Sequence, residues 1–152
     1  MFAAVRVRGQ PDTGKRTRAT LDNLGLEQKN HCVLLPETSA SEGMLRQAKD
    51  VITYGRIDAD LAAELLEARG RTDHGPLSDT VEEVGYDSTE DLVEDLESGD
   101  VNIGDLKADG FRNVVPMTPP SKGFRDTRRG FNQGGSLGDR EDAMGQLLRR
   151  MF

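Results

Sequence analysis

The chain has 152 residues, 35% of them apolar, a single cysteine and a net charge of −7. That length suits one domain with a core of its own, or a small core carrying an extension. The lone Cys32 excludes an internal disulfide and fits a reducing compartment. No apolar run reaches the roughly 18–20 residues of a membrane span, and the opening MFAAVRVRGQ lacks a signal-peptide core, so a soluble intracellular protein is expected. The charge is unevenly spread: residues 1–57 carry a net +3, residues 58–110 a net −14 and residues 111–152 a net +4. A basic beginning and a basic end flank an acidic middle. This suits a polyanion-facing side and a solvent-facing side, or two ordinary solvated faces.

In chain order, FAAVRVRG alternates Val5 and Val7 with Arg6 and Arg8, the period of a half-buried strand. GKRTRATLDNLGL predicts a helix that stops at Gly25. NHCVLLPE is a short apolar run ended by Pro36, a buried strand. TSASEGMLRQAKD predicts a second helix, with Ser39 three residues before Glu42 at capping-box spacing. VITYG is a third strand, closed by Gly55. The order β-α-β-α-β through residue 57 implies a two-layer α/β unit, a ferredoxin-like small sheet covered by helices. DADLAAELLEARG predicts a helix over 58–70, and two acidic helical pieces follow around SDTVEEV and STEDLVEDLES. FRNVVPM reads as a further strand or an edge segment, limited by Pro116. Residues 118–138, rich in Pro, Gly and Arg and without apolar periodicity, read as a basic loop. A last helix over about 140–151 places Met144, Leu147, Leu148 and Met151 in one stripe. Three segments are therefore expected: a 1–57 core, a 58–115 acidic helical extension packed on it, and a 116–152 basic loop with a C-terminal helix.

Several chemistries fail on these residues. GFNQGGS spaces Gly130 and Gly135 like a phosphate-binding loop, but Ser136 stands where the lysine must be, and no apolar strand precedes it. The dinucleotide pattern fails at Gln133. Loop geometry with Asp139 as a helix cap accounts for the glycines instead. His31 and His74 are far apart and there is no second cysteine, so no zinc ligand set is expected. Cys32 and His31 point to opposite faces of a strand and cannot act as a catalytic pair. No catalytic residue, metal or cofactor is assigned.

The basic residues carry more. Lys15, Arg16 and Arg18 open the first helix, where its dipole also favours anions. Arg6 and Arg8 are expected on one face of the neighbouring strand, and Arg46 and Lys49 one turn apart on the second helix. Lys122, Arg125, Arg128 and Arg129 are interleaved with Phe124 and Phe131. Arginines with aromatics in a Gly/Pro segment suit folded RNA, whose phosphates are gripped and whose unstacked bases find planar partners. The plainer alternative is that the two phenylalanines anchor the loop on the domain.

These residues also carry a resemblance. Thr20, Leu21, Leu24, Gly25, Leu26, Asn30, His31, Gly43, Met44 and Lys49 stand in a pattern that resembles the core of the large-subunit ribosomal protein thirty family. Gly134, Gly135, Gly138, Arg140, Glu141, Asp142, Leu148, Arg149, Arg150 and Met151 are similar to the C-terminal signature of its longer archaeal and eukaryotic members. TPPSKGF resembles the basic segment that precedes that signature. The middle departs from the pattern by its acidity, which fits a halophile-type surface. The resemblance implies a structural, non-catalytic constituent of the large ribosomal subunit in the cytoplasm. Its implied partners are large-subunit ribosomal RNA near the 5S RNA region and neighbouring ribosomal proteins. Expected RNA contacts are Arg6, Arg8, Lys15, Arg16, Arg18, His31, Arg46, Lys49, Lys122, Arg125, Arg128 and Arg129. The rival reading is a regulatory α/β module that binds a small molecule and dimerises through a sheet edge.

Overall fold

The computed structural model describes residues 1–9, 14–101 and 103–152. Strand β1 (Phe2–Arg6) leads to helix α1 (Lys15–Leu24), β2 (His31–Leu35), α2 (Ser39–Gln47) and β3 (Ile52–Arg56), the expected β-α-β-α-β order. Gly25 ends α1 in the left-handed region at φ 77°, which a side chain would strain. Helix α2 is capped one residue earlier than the Ser39–Glu42 spacing suggests. The Thr38 hydroxyl accepts from the Ser41 amide at 3.1 Å, and Glu42 pairs with Arg46 instead.

Helix α3 (Ala59–Arg69) follows, with Asp58 accepting from the Leu61 amide at 2.8 Å. A tight hairpin of β4 (Arg71–Thr72) and β5 (Gly75–Pro76) opens the acidic segment. It continues through α4 (Leu77–Thr80), a 3-10 turn over Val81–Val84, α5 (Thr89–Ser98) and α6 (Ile103–Ala108). Strand β6 (Phe111–Arg112) joins β4 in a three-stranded sheet. Strand β7 (Val114–Pro116) pairs with β2 as an edge strand, as expected for FRNVVPM.

The expectation for 118–138 is corrected. The segment contains β8 (Asp126–Gly130), a 3-10 turn over Phe131–Gln133, and β9 (Gly135–Asp139). Strand β9 pairs parallel to β3, Thr53 opposite Gly138, so the six-stranded sheet runs β7-β2-β1-β3-β9-β8. Backbone pairing to β3 defines this strand rather than alternating apolar side chains, so no periodicity marks it. The chain ends in a 3-10 turn over Glu141–Ala143 and α7 (Met144–Arg149).

The core follows from alternation along β1, whose five residues are all buried. Phe2 and Ala4 face Leu21, Leu24 and Leu45 of α1 and α2, while Ala3 and Val5 face a second cluster with Leu65 of α3, Leu92 of α5 and Leu148 of α7. Helices α1 and α2 cover one face of the sheet, and α3, α5 and α7 form a layer on the other. That layer explains why β1 is buried on both sides and not half-buried. All four residues of the C-terminal stripe, Met144, Leu147, Leu148 and Met151, are buried in it. Among the described residues no large hydrophobic side chain is exposed, and no helix is long and apolar enough to cross a membrane.

Candidate nucleic-acid interface

The basic residues fall into distinct settings. Lys15, Arg16 and Arg18 are exposed on the first turn of α1. Among the described residues no side chain caps this turn and no acidic residue sits in it. Cations there oppose the helix dipole, at a cost of a few tenths of a kcal/mol, roughly, that a bound anion would offset. Arg8 is half-buried beyond β1, and His31 is half-buried at the start of β2, opposite Pro116. Arg46 is exposed and bound to Glu42 at 2.6 Å.

Arg6 is not on an outer face with Arg8. It is 3% exposed, and its guanidinium donates to the carbonyls of Leu26 at 2.8 Å, Arg8 at 2.9 Å and Gly9 at 3.3 Å. The fork of donors ties the end of β1 to the loop before β2. Burial pulls its pKa below the usual arginine range, and Asp22 partly opposes that shift.

Two clefts collect the remaining cations. Lys122 and Arg125 line one cleft of about 470 Å³ together with Arg140 and Arg150. Lys49 and Arg128 line a second of about 470 Å³ together with the carboxylates of Asp50 and Asp139, beside Tyr54, Asn132 and Gln133. Phe131 belongs to both linings and so forms a shared wall. Strand β8 carries Arg128 and Arg129 outward, 84% and 68% exposed, each near Asp126 at 3.8 and 3.6 Å. Phe124 is half-buried against the core, which fits the anchoring alternative for that residue.

Two glycines make the turn between these strands possible. Gly134 sits at φ 81° after the 3-10 turn, and a Cβ on Gly135 would collide with the Arg129 backbone. They allow β8 and β9 to approach closely, so Gly135 and Gly138 lie in a strand and not in the loop expected before the last helix. Asp139 accepts from the Glu141 amide at 2.8 Å in a local turn and caps neither the 3-10 turn, whose N-cap is Arg140, nor α7, so the expected helix cap is not formed.

Arg140 and Arg150 are cleft residues that the sequence reading placed only in a family-like signature. Arg140 is 7% exposed, donates to the Thr53 hydroxyl at 2.7 Å and the Ser136 carbonyl at 3.0 Å, and lies 4.8 Å from the Phe131 ring centroid. Burial, then the neighbouring charges of Arg150 and Arg125, bring its pKa down to about 10. No spacing rule links residues 122, 125, 140 and 150, because packing of the 121–125 turn on α7 brings them together.

The fold is a ferredoxin-like α+β module with two clefts sharing one aromatic wall, the first lined by four cations and the second by two cations and two carboxylates. Its β8 edge is charged, which disfavours the sheet-edge dimer of the rival reading. A model of the family Ribosomal protein L30p/L7e matches residues 2–52. Large ribosomal subunit protein uL30 of Methanocorpusculum labreanum is 38% identical over 99% of both chains. Its counterparts in Methanobrevibacter smithii, 38% identical over 100% of both, and Nanoarchaeum equitans, 36% identical over 99% of this chain and 97% of its own, are similar to the same extent. The chain belongs to the uL30 family, a family of ribosomal proteins and not of enzymes.

Proposed function

We propose that this protein is a structural constituent of the large ribosomal subunit of the cytoplasmic ribosome. In this reading it binds large-subunit ribosomal RNA through its basic residues, near the 5S RNA region and beside neighbouring ribosomal proteins. The observation that carries the reading is the gathering of Lys122, Arg125, Arg140 and Arg150 beside Phe131, with no acidic residue in the lining, in a chain whose net charge is −7. Such clustering concentrates positive potential on one side, while Asp and Glu coat the helical layer. Phosphate contacts position an RNA-binding protein, and planar guanidinium and aromatic groups suit folded RNA. Arg8, Lys15, Arg16, Arg18, His31, Arg46, Lys49, Lys122, Arg125, Arg128 and Arg129 are the proposed contacts. Arg6, held by three carbonyls, is left out.

The test reverses Arg128 and Arg129 to glutamate and follows retention of the protein on washed large subunits at native salt. Both side chains are exposed, so the fold should survive. Retention should fall while circular dichroism is unchanged; undiminished retention would remove the β8 contacts from the reading.

The acidic middle, net −14 over 58–110, is proposed as a surface adapted to high salt. The folded state should then lose stability when potassium chloride is diluted out, because screening of like charges is lost. A melting temperature independent of salt would remove that explanation.

A further inference from the structure

Four cations meet in the cleft between the 121–125 turn, β9 and α7, and none of the residues lining it is acidic. The chain carries 27 acidic residues against 20 basic ones, and Arg46, Arg56, Arg112, Arg128, Arg129 and Arg149 all lie within 4.0 Å of a carboxylate. Among the described residues, Lys122, Arg125, Arg140 and Arg150 have no such partner. Arg8, Lys15, Arg16 and Arg18 also lack an ion pair among the described residues, so it is convergence on one cleft without an acidic neighbour that sets these four apart, since like charges packed together repel.

Two of the four are also held in place. Arg140 is fixed from three sides, by the Thr53 hydroxyl, the Ser136 carbonyl and the Phe131 ring. These bonds use two of its five N–H donors, and the other three have no protein acceptor among the described residues. Arg150 donates to the carbonyls of Ser121 at 2.9 Å and Gly123 at 3.4 Å. It thereby holds the turn in which Lys122 adopts a left-handed backbone at φ 66°. Arg140 and Arg150 are therefore in place before any ligand arrives, while Lys122 and Arg125 stand exposed beside them. Ordering long side chains is much of what binding normally costs, and here the fold has done it for two of the four.

We propose that this cleft is a preformed seat for one phosphate group, with Arg140 at its floor and Lys122, Arg125 and Arg150 at its rim. A tetrahedral anion with several acceptor oxygens matches donors converging from several side chains, whereas a carboxylate is satisfied by one guanidinium fork. Partial burial strengthens each contact relative to the open surface. Burial, and after it the charges of Arg150 and Arg125, lower the Arg140 pKa, and a seated anion would offset the repulsion between these arginines. The phosphate is assigned to an RNA strand, and that part rests on the function proposed above.

The test is a titration of the full chain with inorganic phosphate, replacing chloride at constant ionic strength, followed by nitrogen–proton NMR of arginine side chains and backbone amides. Saturable shifts should centre on Arg140, the 122–125 turn and the start of α7. Lys122→Gln and Arg125→Gln, both at exposed sites, should each weaken phosphate binding roughly fivefold. Arg112→Gln, far from the cleft on the small sheet, should leave it unchanged. Shifts that grow linearly and spread over all exposed cations, or wild-type binding by both cleft variants, would overturn the seat. A short single-stranded RNA is then added to the phosphate-saturated protein. Displacement of phosphate supports the RNA assignment, and phosphate left in place overturns it. Retention on large subunits is scored independently: a protein that seats phosphate but does not sediment with them keeps the site and loses the ribosomal reading.

Discussion

Replacing Arg6 by methionine separates a structural arginine from an RNA ligand. Methionine keeps most of the apolar stem and removes the fork that holds the Leu26, Arg8 and Gly9 carbonyls. Leu26 is fully buried, so its carbonyl loses its charged donor without ready access to water. An acceptor stranded in this way costs about 1–3 kcal/mol. The other two contacts are only part-buried, and water can replace the lost donor there. Relief of the cost of burying a guanidinium offsets part of the loss, leaving a net destabilisation of about 2 kcal/mol. For a chain of this size that corresponds to a drop in Tm of roughly 4–8 °C. Lysine at the same position carries the charge but cannot span three carbonyls, so it should recover less than half of the loss. Thermal unfolding by circular dichroism measures both variants, and subunit retention is measured at a temperature where both are folded. An unchanged Tm combined with weakened retention would refute the argument and return Arg6 to the RNA-facing set.

Two further outcomes follow from packing and burial. Gly55→Ala should destabilise by about 2 kcal/mol or more, because a Cβ there meets the Glu141 carbonyl and lies 2.7 Å from Met144 Cβ, and backbone cannot move aside cheaply. A urea midpoint equal to wild type would show that the 141–144 turn yields freely. Burial pushes the Cys32 thiol up to about 12, so it should resist maleimide at pH 8 in the native protein and label only on unfolding. Its folded pKa lies above its unfolded value, so the folded state holds the proton longer. The linked stability is complete below about pH 8.5 and declines as pH rises toward 12. Native labelling at rates typical of an exposed thiol would contradict this.

Side-chain periodicity made much of this protein legible from its residues alone. Leu21 and Leu24 on α1, Leu61 and Leu65 on α3, and the Met144–Met151 stripe all repeat at helical spacing because these helices pack on the sheet, and each is buried as expected. Gly25 marks the end of α1 because only glycine enters the left-handed region without strain. The signal fades where backbone pairing or distant packing decides. Strands β8 and β9 carry glycines and polar residues, and they become strands because β3 offers a free edge for β9 to pair with. Arg6 has the alternation of an outward residue, yet the carbonyls of the loop before β2 draw it inward. The cleft is built from residues up to 28 positions apart, and its deepest cation, Arg140, is fixed by Thr53 on a strand 87 positions away. Local sequence determined where the elements lie, since periodic burial and cap chemistry act within a turn or two. Tertiary structure decided which cations converge, because convergence depends on how α7 and the 121–125 turn meet the sheet.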